Sequence, residues 1–165
     1  LYAIKINIMK KCWVYSNFDF NLLMAQNNWS DDNIPDNCAF ISICEPNYRN
    51  EKLGLYHWFS KNRYNVINLD FYDIDSYYLP ENESVKGLSD KQAEELYQFI
   101  ENNLGKDFYI HCAAGMSRSQ GVARYITDTY FDIYPKESLR AENPCEFPNL
   151  HVVSLLKHIY FNKHL

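Results

Sequence analysis

Cys112 and Arg118 enclose five small or neutral residues, Ala113-Ala114-Gly115-Met116-Ser117, in a chain of 165 residues. A short apolar run, Phe108-Tyr109-Ile110, precedes them, and a helical pattern follows through Val122, Tyr125, Ile126 and Thr129. The segment therefore reads as a tight loop between a strand end and a helix start. Consecutive backbone N–H groups in such a loop can turn inward as an anion nest, and the helix N-terminus adds positive potential. The same field, with Arg118 beside it, would stabilise a thiolate at Cys112, the nucleophilic form of cysteine. An anion cradle with a nucleophile at its base is suited to breaking phosphate esters.

Such a reaction also needs a proton for the leaving oxygen, and a carboxylic acid on a neighbouring loop can supply it. In a parallel sheet, active residues gather at the carboxyl ends of strands. Tyr64 to Phe71 reads as a strand, so Asp73 and Asp75, just beyond it, are the candidates. Asp70 lies within the strand and is expected to point away or to pair structurally. The plain alternative for any of these carboxylates is solvation at the surface.

The positioning elements follow from periodicity and caps. Lys11 to Tyr15 reads as a first strand, Phe20 to Gln26 as a short helix and Asn27 to Asn37 as a polar loop. Cys38 to Cys44 is a continuous apolar run stopped by Glu45-Pro46, the pattern of a strand buried on both faces. A short helix is expected over 52–60. Ser89-Asp90-Lys91-Gln92 forms a capping box that opens a helix to about Asn103, with Ala93, Leu96, Tyr97 and Ile100 toward the sheet. Residues 132–148 read as a long connector, and Asn149 as the N-cap of a last helix. Strands alternating with helices predict a three-layer α/β fold with a parallel-rich central sheet of about four to five strands. Residues 11–165 are read as one catalytic domain. Residues 1–10 are read as an N-terminal extension or vector-encoded residues, with Met9 an alternative start.

Composition narrows the function classes. The net charge is −5 with no basic block, which disfavours a nucleic-acid partner. No apolar run approaches the roughly 20 residues of a membrane span. Five cysteines, Cys12, Cys38, Cys44, Cys112 and Cys145, are scattered without Cys-x-x-Cys spacing. That argues against a zinc site or a disulfide framework and for a reducing, cytoplasmic setting. No cofactor or metal is expected, and His111 has no second ligand at suitable spacing.

His111-Cys112-x-x-Gly115-x-Ser117-Arg118-Ser119 resembles the signature loop of the cysteine-dependent protein tyrosine phosphatase superfamily, in its small dual-specificity-like, bacterial and phage-type branch. The resemblance extends to Ala39–Pro46 and to Pro148-Asn149-Leu150-His151-Val152-Val153. It implies the three-layer fold, with the loop between a central strand and a helix. It also implies Cys112 as the nucleophile of a phosphocysteine intermediate and Arg118 as a bidentate phosphate ligand. Backbone N–H groups from Ala113, Ala114, Gly115, Met116, Ser117 and Arg118 would complete the cradle. Ser119 would donate to the thiolate or else cap the helix. His111 would orient the loop through backbone hydrogen bonds and favour the thiolate.

Phe71-Tyr72-Asp73 resembles the family's acid loop without its Trp-Pro-Asp form, so Asp73 is the expected general acid and Asp75 the alternative. Lys61-Asn62-Arg63-Tyr64 spells the phosphotyrosine-recognition loop of the larger tyrosine-specific members, but its placement before a strand marks it as a chance match. The loop carries no lysine or second arginine, unlike phosphoinositide-directed relatives. A phosphotyrosine or phosphoserine/threonine monoester on protein is the expected substrate. The alternatives are a non-protein substrate such as an RNA 5′-phosphate, a catalytically inactive phosphate-binding module, and a sulfur- or arsenate-handling enzyme with Cys44 as resolving thiol.

Overall fold

A computed structural model describes residues 9–46, 58–75, 86–141 and 147–165. In chain order the elements are β1 (Cys12–Ser16), α1 (Asn17–Gln26), β2 (Cys38–Cys44), β3 (Val66–Asp70), α2 (Asp90–Asn102), β4 (Asp107–Cys112), α3 (Arg118–Thr129), a 3₁₀ turn (Lys136–Ser138), β5 (Leu139–Ala141) and α4 (Leu150–His164). Among the described residues, the sheet has five strands in the order β3-β2-β4-β1-β5, and every pairing is parallel. The fold is three-layer α/β, and β4 is the middle strand.

Strand parity sorts the side chains into two cores. Val14, Ile41, Ile43, Ile67, Leu69, Ile110 and Cys112 project toward α2, α3 and α4 and pack with Leu96, Ile100, Val122, Tyr125, Val152 and Leu156. The opposite face carries Tyr15, Phe40 and Tyr109, packed against Phe20 and Met24 of α1 and against Trp58 and Phe59. That second core is largely aromatic, with Phe20 edge-on to Trp58 at 5.1 Å and Phe40 stacked on Tyr109 at 5.3 Å.

β2 spans the whole apolar run Cys38–Cys44, buried throughout. One expectation differs from the fold. The connector 132–148 is not unstructured over its first part, since it contains the 3₁₀ turn and β5; three residues are too short for a period-2 signal to be read. The helix expected over 52–60 lies outside the described residues as far as residue 57, and 58–60 form a bend. Residues 1–8 also lie outside the described residues. Among the described residues, no helix is long and apolar enough to cross a membrane.

The capping box of α2 reaches beyond its own helix. Ser89 Oγ accepts from Gln92 N, and Gln92 Oε1 accepts from Ser89 N, each at 3.1 Å. Gln92 Nε2 then donates to the Asp70 carbonyl at 2.8 Å and to its carboxylate at 3.3 Å. The start of α2 thus grips the end of β3, from which the Asp73 segment departs, and Asp70 has the structural pairing expected of it. Replacing Gln92 with Ala removes the three bonds of its side chain, leaves the one from its backbone N to Ser89 Oγ, and is expected to cost about 1 kcal/mol, read as a lower urea midpoint with an unchanged slope.

Candidate active site

β4 ends at Cys112, the chain bends through 113–117, and α3 starts at Arg118. The bend is held from outside by its carbonyl groups. Ala113 O accepts from Asn17 N at 3.2 Å, and Gly115 O accepts from Gln120 Nε2 at 3.2 Å. Ser117 O accepts from Gly121 N at 2.8 Å and from Asn149 N at 3.0 Å. A trans peptide points its N–H opposite its C=O. Outward carbonyls at 113, 115 and 117 therefore aim the N–H groups of Ala114, Met116 and Arg118 into the concavity, an anion nest at a helix N-terminus.

Gly115 makes the bend possible. Its φ is +67°, and a Cβ there would meet Ser16 N at 2.6 Å and the Tyr15 carbonyl carbon at 2.7 Å. The loop is thus pressed against the end of β1, closer than any side chain allows.

Cys112 is buried, and its Sγ lies 3.0 Å from Ser119 Oγ. Ser119 is the second residue of α3 and its hydroxyl is directed to the thiol; the N-cap position belongs to Ser117. Arg118 is only 4% exposed, with Nη1 donating to the Phe71 carbonyl and Nη2 to Glu45 Oε1, each at 2.8 Å. Its Nε is buried and has no partner among the described residues.

Asp73 meets the loop directly. Ser117 Oγ donates to Asp73 Oδ1 at 2.6 Å, and Asn149 Nδ2 donates to the same oxygen at 2.8 Å. Asp75 lies two residues further along, half-buried.

His111 departs from expectation. Its Nδ1 pairs with the side-chain Oδ1 of Asn17 at 2.8 Å, rather than with loop backbone, and its ring stacks on Phe20 at 4.1 Å between centroids. Because an amide oxygen only accepts, Nδ1 carries the hydrogen, and the buried Nε2 is an acceptor without a partner among the described residues. Full burial pushes its pKa down to about 3, so the imidazole is neutral beside Cys112 and adds no positive charge to the site.

Two other motifs fall away from the site. Arg63 donates to Asp31 and Tyr64 to Asp36, at the amino end of β3, while Cys112 stands at a carboxyl end. Cys44 follows Ser42, which sits beside His111 in the register, so parity sends its side chain to the face opposite Cys112. Burial raises the Cys44 thiol, against hydrogen bonds with Ser42 and the Trp58 backbone. Among the described residues, no group of three or more His, Cys, Asp or Glu is arranged to hold a metal ion.

Glu45, Asn17 and Asn149 also hold the site, though none is a site candidate from the sequence. Glu45 was findable, because it follows a strand end as Asp73 does. Asn17 and Asn149 are ordinary helix-start residues in sequence and carry no such signal. Comparison of the chain with protein-family models, curated proteins and solved structures finds no match.

Two outcomes follow from this geometry. Gly115→Ala is expected to lose about 3 kcal/mol of stability or to deform the loop, since both backbone angle and space oppose a Cβ; a variant as stable as the parent, with unchanged anion affinity, would refute the close approach. His111 links stability to pH. Below about pH 6.5 the unfolded chain takes up a proton that the folded imidazole refuses until about pH 3. Stability therefore falls as pH drops through that window, by up to about 1.4 kcal/mol per pH unit. Urea unfolding at pH 7 and pH 5 should show a smaller loss for His111→Asn, which keeps a donor toward Asn17, than for the parent.

Proposed function

We propose that the protein is a cysteine-dependent phosphomonoesterase of the protein tyrosine phosphatase superfamily, acting on phosphotyrosine and also on phosphoserine/threonine monoesters of proteins. The observation that carries this reading is the convergence on one loop. A buried Cys112 thiol sits beside Ser119, a buried Arg118 stands at the loop's end, and the Asp73 carboxylate is bonded to the loop's own Ser117.

The proposed chemistry has two steps. Cys112 Sγ, as thiolate, attacks phosphorus while the bond to the leaving oxygen breaks, and Asp73 gives that oxygen its proton. Water then attacks the phosphocysteine, Asp73 takes a proton from it, and the S–P bond breaks to return the thiolate. Ser119 Oγ, 3.0 Å from Sγ, is placed to donate to that departing sulfur. The inward N–H groups hold the equatorial oxygens, and Arg118 Nε, buried without a partner among the described residues, is a guanidinium donor for one of them.

Substrate class is argued from charge. Ala113 to Ser117 add no cation, and Glu45 and Asp73 place two carboxylates at the loop. A polyanionic inositide would be repelled, whereas a monoester whose neutral residue lies outside the cradle would not. The four described cysteines are unpaired, which suits a reducing compartment such as the cytoplasm.

Hydrolysis of para-nitrophenyl phosphate in EDTA from pH 4 to 8 tests the reading. Turnover is expected to be bell-shaped in pH and abolished by Cys112→Ser. Asp73→Asn should lower kcat about a hundredfold and remove the alkaline limb, with Asp75→Asn close to the parent. A parent protein that binds vanadate but turns nothing over would instead be a phosphate-binding module. Faster release of phosphate from RNA 5′ ends than from phosphotyrosine peptides would move the substrate class.

A further inference from the structure

Asn149 is 3% exposed, and four of its polar atoms are engaged in different directions. Oδ1 accepts from Val152 N at 3.0 Å, which caps α4. Nδ2 donates to Asp73 Oδ1 at 2.8 Å and to the Ile74 carbonyl at 3.2 Å. Its backbone N donates to Ser117 O at 3.0 Å, and its carbonyl accepts from Val153 N at 3.2 Å. One residue therefore joins the start of α4, the Asp73 segment and the Cys112–Arg118 loop.

The amide orientation is settled by its surroundings. Flipped, Oδ1 would face a carboxylate and a carbonyl, and Nδ2 would face the Val152 N–H. The approach of α4 is also specific. A Cβ on Gly121 of α3 would lie 2.8 Å from the Asn149 carbonyl oxygen, so a glycine is what lets this cap sit against the loop.

We infer that Asn149 is a positioning residue for the general acid, fixing both where Asp73 sits and which of its oxygens carries the proton. The inference rests on the phosphatase reading above. Asp73 Oδ1 accepts from the Asn149 amide, which can only donate at that atom, and from the Ser117 hydroxyl. A proton on Oδ1 would collide with the amide hydrogen, so the transferable proton resides on Oδ2. The second bond, to the Ile74 carbonyl, stops the segment from rotating Oδ2 away. Asp73 is thus held against the loop before substrate arrives, instead of being carried in by a closing lid.

The test separates this role from capping. Asn149→Ser keeps an acceptor for Val152 N–H and loses the donor to Asp73; Asn149→Asp keeps the cap acceptor and the size, loses the same donor and adds a repelling carboxylate beside Asp73. Parent, both variants and Asp73→Asn are assayed on a series of aryl phosphates running from 2,4-dinitrophenyl to phenyl, with thermal midpoints measured in parallel. An acid matters most when the leaving oxygen is basic. Both Asn149 variants should therefore lose about tenfold more kcat/KM, which reports the step that expels the leaving oxygen, on phenyl phosphate than on the dinitrophenyl ester, the direction Asp73→Asn takes more strongly.

A loss equal across the series would mean that Asn149 only supports the fold, and parent-like rates throughout would mean that the bond is idle. Either result overturns the inference while leaving Asp73 as the acid. If Asp73→Asn itself shows no dependence on the leaving group, the acid assignment falls and this inference falls with it.

Discussion

A guanidinium almost wholly removed from water is the constraint on which the carboxyl edge of the sheet depends. Burying a cation costs several kcal/mol unless opposite charge and hydrogen-bond acceptors meet it. Arg118 is met by Glu45, just past β2, and by the Phe71 carbonyl, just past β3. The Glu45 side chain is still 42% exposed, so one end of the pair stays hydrated and the desolvation falls mainly on the arginine. Because Phe71 N also donates to the Cys44 carbonyl at 3.2 Å, the segment leading to Asp73 is anchored on both sides of one residue. The arginine that would bind phosphate is thus also the tie that sets where the acid segment begins.

The positive potential of the loop comes from peptide dipoles and this one arginine, not from the histidine before the cysteine. His111 lies in the aromatic core under α1, stacked on Phe20, and burial keeps it neutral. Its Nδ1–H secures Asn17, whose own backbone N–H holds Ala113 O. The histidine therefore acts on the loop through shape, by way of the first residue of α1. Gly115 completes that arrangement from the other side, where the loop presses against the end of β1.

Three helix starts surround one strand end: α1 through Asn17, α3 through Arg118 and α4 through Asn149. Each contributes backbone N–H groups or a cap side chain to the Cys112–Arg118 loop or to Asp73. This is the usual outcome of a parallel sheet, in which the chain leaves every strand at the same edge and the following helix begins there. The loop's carbonyls, the α4 cap and the buried cation tie the site to α1, α3, α4 and the ends of β2 and β3.

What the chain by itself determined was local. The run Cys38–Cys44 coincides with β2, Ser89 and Gln92 close the box on α2, and Asn149 caps α4, because periods and caps involve residues a few positions apart. Cys112, Arg118 and Ser119 stood out as candidates for the same reason, while the strand-end rule offered Asp73 and Asp75 alike. Only the tertiary structure decided that Arg118 pairs with Glu45, 73 positions away, His111 with Asn17, 94 away, and Asp73 with Asn149, 76 away. Those partners are common polar residues with no local pattern, and their meeting depends on strand order and register. The sheet sets both when it closes.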